Sequence, residues 1–138
     1  MELAIEANKI EFIYDELDTN AINFQTDDGY FSIQTCVYLE EDDELNKPQF
    51  ELNDQGNSQN DGLESIIFSE KLITLNFLEK EKFIKKYKAI KIKIPENIDR
   101  KVLTDFFANH LFLGEYMEYD NTFDKSKITA QTENRDYL

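Results

Sequence analysis

Among residue types that most often act as nucleophile or base, this chain has one cysteine and one histidine, and their spacing decides what they can do. Nucleophilic catalysis needs a cysteine, serine or threonine beside a base, and the commonest such pair available is Cys36 with His110. Alternation places Cys36 in the middle of a strand. Helical spacing places His110 off the apolar stripe of Ile98, Phe106 and Phe107. They read as a small packed residue and a solvent-facing or hydrogen-bonded histidine, so no catalytic residue is assigned.

Metal and phosphate chemistry find equally little support. The four glycines form neither a phosphate-cradling loop nor a dinucleotide fingerprint. Residues 54–62 contain Asp54, Asn57, Asn60, Asp61 and Gly62, but they lack the alternating carboxylates and closing glutamate of a calcium loop. They read as turn chemistry. One cysteine and one histidine give no framework for zinc and no intrachain disulfide. No cofactor and no metal are expected. A carboxylate pair of the glycoside-hydrolase kind has no distinguishing spacing among the 29 acids, and an enzyme is not expected.

Charge is the distinctive property. The 138 residues carry a formal net charge of -14, which repels nucleic acid and anionic membranes and speeds encounter with a basic partner. Residues 1–64 hold 17 acids against two lysines, Lys9 and Lys47, while the remainder is nearly balanced. Within the acidic half, Glu40, Glu41, Asp42, Asp43 and Glu44 stand in one run. Five adjacent carboxylates must stay in water or meet cations, so the run is a surface loop. It fits either a merely solvated loop or a docking patch for Arg and Lys of a basic protein. The lysine cluster from Lys80 to Lys93 reads as a wet sheet face that neutralises part of the acidic half.

The elements that position these residues are mostly strands. Leu3, Ile5 and Ala7 share one parity and Ile10, Phe12 and Tyr14 the other, so a bulge or a change of strand falls near Asn8 and Lys9. Ile22 and Phe24 belong to a short strand, turned by Asp27, Asp28 and Gly29 into a return strand over 30–39 whose core face is Phe31, Ile33, Thr35, Val37 and Leu39. A further hairpin joins 63–68 to 72–77, and 79–87 suggests one or two helical turns. Ile90, Ile92 and Ile94 alternate with lysines in the cleanest strand. From an N-cap at Asn97, the positions Ile98, Val102, Leu103, Phe106, Phe107 and Leu111 trace one helix to about 112, with Gly114 just past its end.

This pattern predicts an α+β fold, a mainly antiparallel β-sheet with one C-terminal amphipathic helix packed on one face. One domain is expected over 1–123, followed by a polar, mobile tail over 124–138. The start of the sequence has neither a signal-peptide pattern nor an apolar span, and a cytoplasmic location is the expectation.

Three stretches carry a family resemblance: Phe50, Glu51, Leu52, Asn53, Asp54, Gln55 and Gly56; the segment 62–66; and the segment 69–75. Over roughly residues 5–112 the chain resembles the immunity protein 10 family of bacterial polymorphic-toxin systems. That resemblance implies a small protein that binds and neutralises a cognate toxin domain, a basic nuclease being one such domain. Glu51, Asn53, Asp54 and Gln55 match motif positions, where closing a turn is their expected role. The competing reading is a structural or adaptor protein that self-associates as a homo-oligomer or joins a larger assembly.

Overall fold

The computed structural model describes residues 1–132 and 135–137, with the side chain of Glu44 outside the described set. Ten strands divide into two five-stranded sheets. One sheet is an antiparallel meander in sequence order: β2 (Lys9–Glu16), β3 (Thr19–Gln25), β4 (Tyr30–Cys36), β5 (Gln49–Leu52) and β6 (Asp54–Asn60). The other comprises β1 (Glu2–Glu6), β7 (Leu63–Phe68), β8 (Leu72–Phe77), β9 (Ala89–Lys93) and β10 (Met117–Tyr119) in the order β1-β9-β8-β7-β10. Its two outer strands pair in parallel, β1 with β9 and β10 with β7.

The fold is α+β and mostly antiparallel, with, among the described residues, a single short α-helix near the C-terminal end. The alternation predicts one sheet, however, and two are present. The parity flip at Asn8 and Lys9 is where the chain leaves one sheet for the other. Ile5 and Ala7 are buried from the β1 side, and Ile10 and Phe12 pack on the same core from the β2 side.

Phenylalanines join the layers. Phe24, Phe31 and Phe50 stack across β3, β4 and β5 with successive ring centroids 6.4 Å apart. Phe50 then meets Phe77 of β8 edge-on at 5.2 Å, a contact between the two sheets. Edge-to-face geometry of this kind adds to the hydrophobic gain from burying both rings.

The helix is shorter than its apolar stripe suggests. Its N-cap is Asp99 instead of Asn97: the Asp99 carboxylate accepts from the N–H groups of Lys101 and Val102. α1 spans Arg100–Asp105 and widens into one π-helical turn over Phe106–His110, where Leu111 N–H bonds Phe106 C=O. Phe106 touches Phe12 of β2 and Phe107 touches Phe68 of β7, so the stripe reaches both sheets. Phe112, with φ at +56°, takes the left-handed position expected at Gly114, and Leu113 N–H closes back onto Phe107 C=O.

Two further segments differ from expectation. Residues 54–60, read as a turn, form β6. An edge strand with exposed or half-buried residues needs no apolar face, which is why its composition mimics a loop. In the 79–87 segment only Glu79–Glu81 is helical, and Ile84 and Lys85 at positive φ turn the chain so that Phe83 is fully buried. Among the described residues no helix is long and apolar enough to cross a membrane.

Candidate functional site

β4 ends at Cys36, and the chain then runs over the surface to β5, carrying the carboxylates. Val37 N–H bonds Asp18 C=O at 2.9 Å and Leu39 N–H bonds Asp136 C=O at 2.7 Å, tying the start of the loop to two distant segments. Glu40 is half-buried, while Glu41, Asp42 and Asp43 are exposed. A 3-10 turn over Asp43–Asn46 returns the chain toward β5. Asn46 closes the loop, its Oδ1 accepting from Glu40 N–H at 2.6 Å and its Nδ2 donating to Glu40 C=O at 2.9 Å.

Segment 135–137 lies against this loop. Arg135 donates to Asn46 C=O at 3.0 Å and to Cys36 C=O at 3.4 Å, and its guanidinium sits 5.2 Å from the Phe112 ring centroid. Tyr137 bridges to Leu39 and is 72 % exposed. Beside the loop, Asp43, Asn46, Phe112, Tyr116, Arg135 and Tyr137 border a cavity of about 250 Å³. Residues 124–138, expected as a mobile tail, thus supply contacts through their described part. Thr132 N–H also bonds Asn109 Oδ1 at 2.8 Å.

The ionic environment of the loop differs from that of the lysines. Lys91 pairs with Glu2 at 3.1 Å and Lys93 with Glu6 at 3.7 Å across the parallel β1–β9 contact, and Lys82 and Lys88 both reach Glu79. Lys47 faces Asp61 at 3.8 Å. Among the described residues, no cation lies within ion-pair distance of Glu40, Glu41 or Asp43. The lysine strip is therefore partly neutralised in place, and among the described residues the carboxylates of Glu40, Glu41 and Asp43 are not.

Cys36 and His110 do not meet as a catalytic pair. Cys36 takes the outward parity of β4, opposite the buried Thr35. His110 packs edge-on against Tyr14 at 4.9 Å, with its Nε2 3.4 Å from Asp105, and its carbonyl accepts from Asn20 Nδ2 at 2.8 Å. The ring is held by packing against Tyr14 and Phe106 beside Asp105.

In the 54–62 stretch, Asp54 bonds the N–H of Gly56 and Asp61 faces Lys47, so the carboxylates point to different partners. Among the described residues no cluster of three or more His, Cys, Asp and Glu could hold a metal ion. A larger open cleft of about 580 Å³ lies beside α1, where Arg100 donates to the carbonyls of Pro95, Glu96, Ile98 and Glu70 and so braces the surrounding loops.

Of the motif positions, Asn53 closes the turn between β5 and β6, whereas Glu51 lies within β5. Asn53, at φ +65°, exchanges hydrogen bonds with Tyr30: its N–H donates to Tyr30 C=O and its Oδ1 accepts from Tyr30 N–H, each at 2.9 Å. Glu51 accepts from the Tyr30 hydroxyl. That bond, with some burial and the charges of Glu51 and Asp54, pushes the Tyr30 phenol up to about 12.

The chain matches no known protein family, no curated protein and no solved structure. Asn46 and Arg135 are the site residues that spacing does not single out. Asn46 had a local signal, an amide side chain just after an acidic run where loops close. Arg135 had none, since 89 residues separate it from Asn46.

Proposed function

We propose that this protein is a non-catalytic immunity protein of bacterial cytoplasm that neutralises a cognate toxin domain by one-to-one contact. Glu40, Glu41, Asp42, Asp43 and Glu44 lie in its contact surface. The observation that supports this most is the contrast between lysines paired in place and the carboxylates of Glu40, Glu41 and Asp43, which among the described residues have no cation within ion-pair distance, in a loop closed by Asn46. A preshaped anionic surface costs less to order on binding and accelerates encounter with a basic one. The resemblance at residues 50–56, 62–66 and 69–75 points the same way. A basic nuclease is the toxin type whose surface such a loop complements. Self-association through this loop is disfavoured, because two copies would set carboxylates against carboxylates.

The test is capture of the partner from lysate of the source strain, followed by titration of the toxin domain's activity with purified protein. Inhibition complete at one equivalent, with affinity that falls as salt rises, is the expected result. Reversing the five carboxylates to lysine should abolish it. Unchanged affinity and salt dependence in that variant would remove the loop from the contact surface.

A further inference from the structure

Arg135 stands close to the loop, and what it touches is informative. Its two donors go to backbone carbonyls at either end of the same excursion, Cys36 where β4 ends and Asn46 where the 3-10 turn ends. Its planar face lies over Phe112. The neighbouring residues add a second tie, Asp136 C=O accepting from Leu39 N–H. Asn46, held by Arg135, in turn grips both backbone groups of Glu40. Among the described residues no carboxylate pairs with the guanidinium. A fork of fixed geometry suits this task better than an ammonium, because it can satisfy two carbonyls and stack at once.

We infer that Arg135 is a positioning residue for the acidic loop: through Cys36 C=O and Asn46 C=O it braces both ends of the 36–46 excursion. The surface offered to a Lys- and Arg-bearing partner therefore includes segment 135–137, with the exposed ring of Tyr137 bordering the same cavity as Asp43. The docking role rests on the function proposed above, while the brace itself needs no partner and can be tested without one.

The experiment is amide hydrogen exchange on the free full chain and on R135A and R135K, followed residue by residue. Reporter amides are Leu39 and Glu40, and control amides are Ile22 and Ile90 in the two sheets. In R135A the reporters should exchange about tenfold faster while the controls hold, the effect of losing a few hydrogen bonds locally. R135K, which keeps the charge and one donor group, should recover only part of that protection. Unchanged reporters in R135A would overturn the brace, and so would full recovery in R135K, since charge alone would then suffice. Faster exchange at the controls as well would also overturn it, by making Arg135 a residue of general stability. If R135A does not fold, R135K against the native chain decides: partial loss at the reporters alone supports the brace, and no loss or global loss overturns it.

Discussion

Asn46 holds Glu40 by both backbone groups, donating to its carbonyl and accepting from its N–H. One side chain thus does the work of two ladder bonds at a point where no strand is available. Replacing Asn46 by alanine leaves both groups of Glu40 to find water in a half-buried position. N46A should cost about 1–2 kcal/mol, read as a shift in the urea midpoint at unchanged m-value. N46D keeps the acceptor but sets a carboxylate oxygen against the Glu40 carbonyl and adds a charge to the acidic run, so it should cost at least as much as N46A, with the excess shrinking as salt rises. A midpoint unmoved in N46A would mean that the loop is shaped by its flanking turns.

Asn53 shows how a turn position can be separated from a contact position. Its φ of +65° is one that glycine adopts freely and asparagine tolerates, and its side chain caps Tyr30 N–H. N53G should lose only the hydrogen bond, while N53A should lose the bond and add backbone strain, about 1 kcal/mol more. Equal destabilisation of the two would show that the left-handed backbone carries no cost here. Partner affinity should follow neither substitution if the motif is purely structural.

Much of the fold was legible where one physical rule dominates. The alternation of Ile90 and Ile92 with lysines fixed β9, and the hairpin joining 63–68 to 72–77 is present as β7 and β8. Legibility failed where the decisive contact is distant. Nothing local tells β1 to pair in parallel with β9, or Phe50 to meet Phe77 in a second sheet. β6 was hidden because an edge strand resembles a loop in composition, and Phe112 because phenylalanine is an improbable left-handed residue. The acidic loop was legible by charge alone, whereas its brace at Arg135 depends on tertiary packing.

Tyr30 gives a pH dependence of defined sign. Its phenol is raised from the ordinary value of 10 to about 12, chiefly by its hydrogen bond to Glu51. A group whose folded value is raised contributes stability that is fully present below pH 10 and is lost as pH rises through about 12. E51Q removes the negative charge and weakens the bond, so the Tyr30 value should fall back toward 10. Ring-carbon chemical shifts against pH would report this for Tyr30 individually. A value that stays near 12 in E51Q would assign the shift to burial and to Asp54.

The joint between the sheets should be the most sensitive part of the core. Phe50 and Phe77 are both fully buried and touch across the layers. Each alanine substitution should cost about 3–5 kcal/mol through lost transfer energy and an unfilled cavity. The double variant should cost less than their sum by roughly 0.5–1.5 kcal/mol, the coupling of an edge-to-face pair. Leucine in place of alanine keeps the variants folded if the stability margin is small. Strict additivity would mean that the rings act through separate neighbours.

The carboxylates of the acidic loop should behave in the opposite way. Glu41 and Asp43 are exposed, lie two residues apart and have no cation within ion-pair distance among the described residues. Like charges that close repel, so E41Q/D43N should leave the urea midpoint unchanged or raise it, with any gain shrinking as salt screens the repulsion. The same double variant should bind the toxin domain more weakly and with a shallower salt slope. Charges that lower stability and raise affinity serve the contact, whereas a falling midpoint would return these residues to the fold.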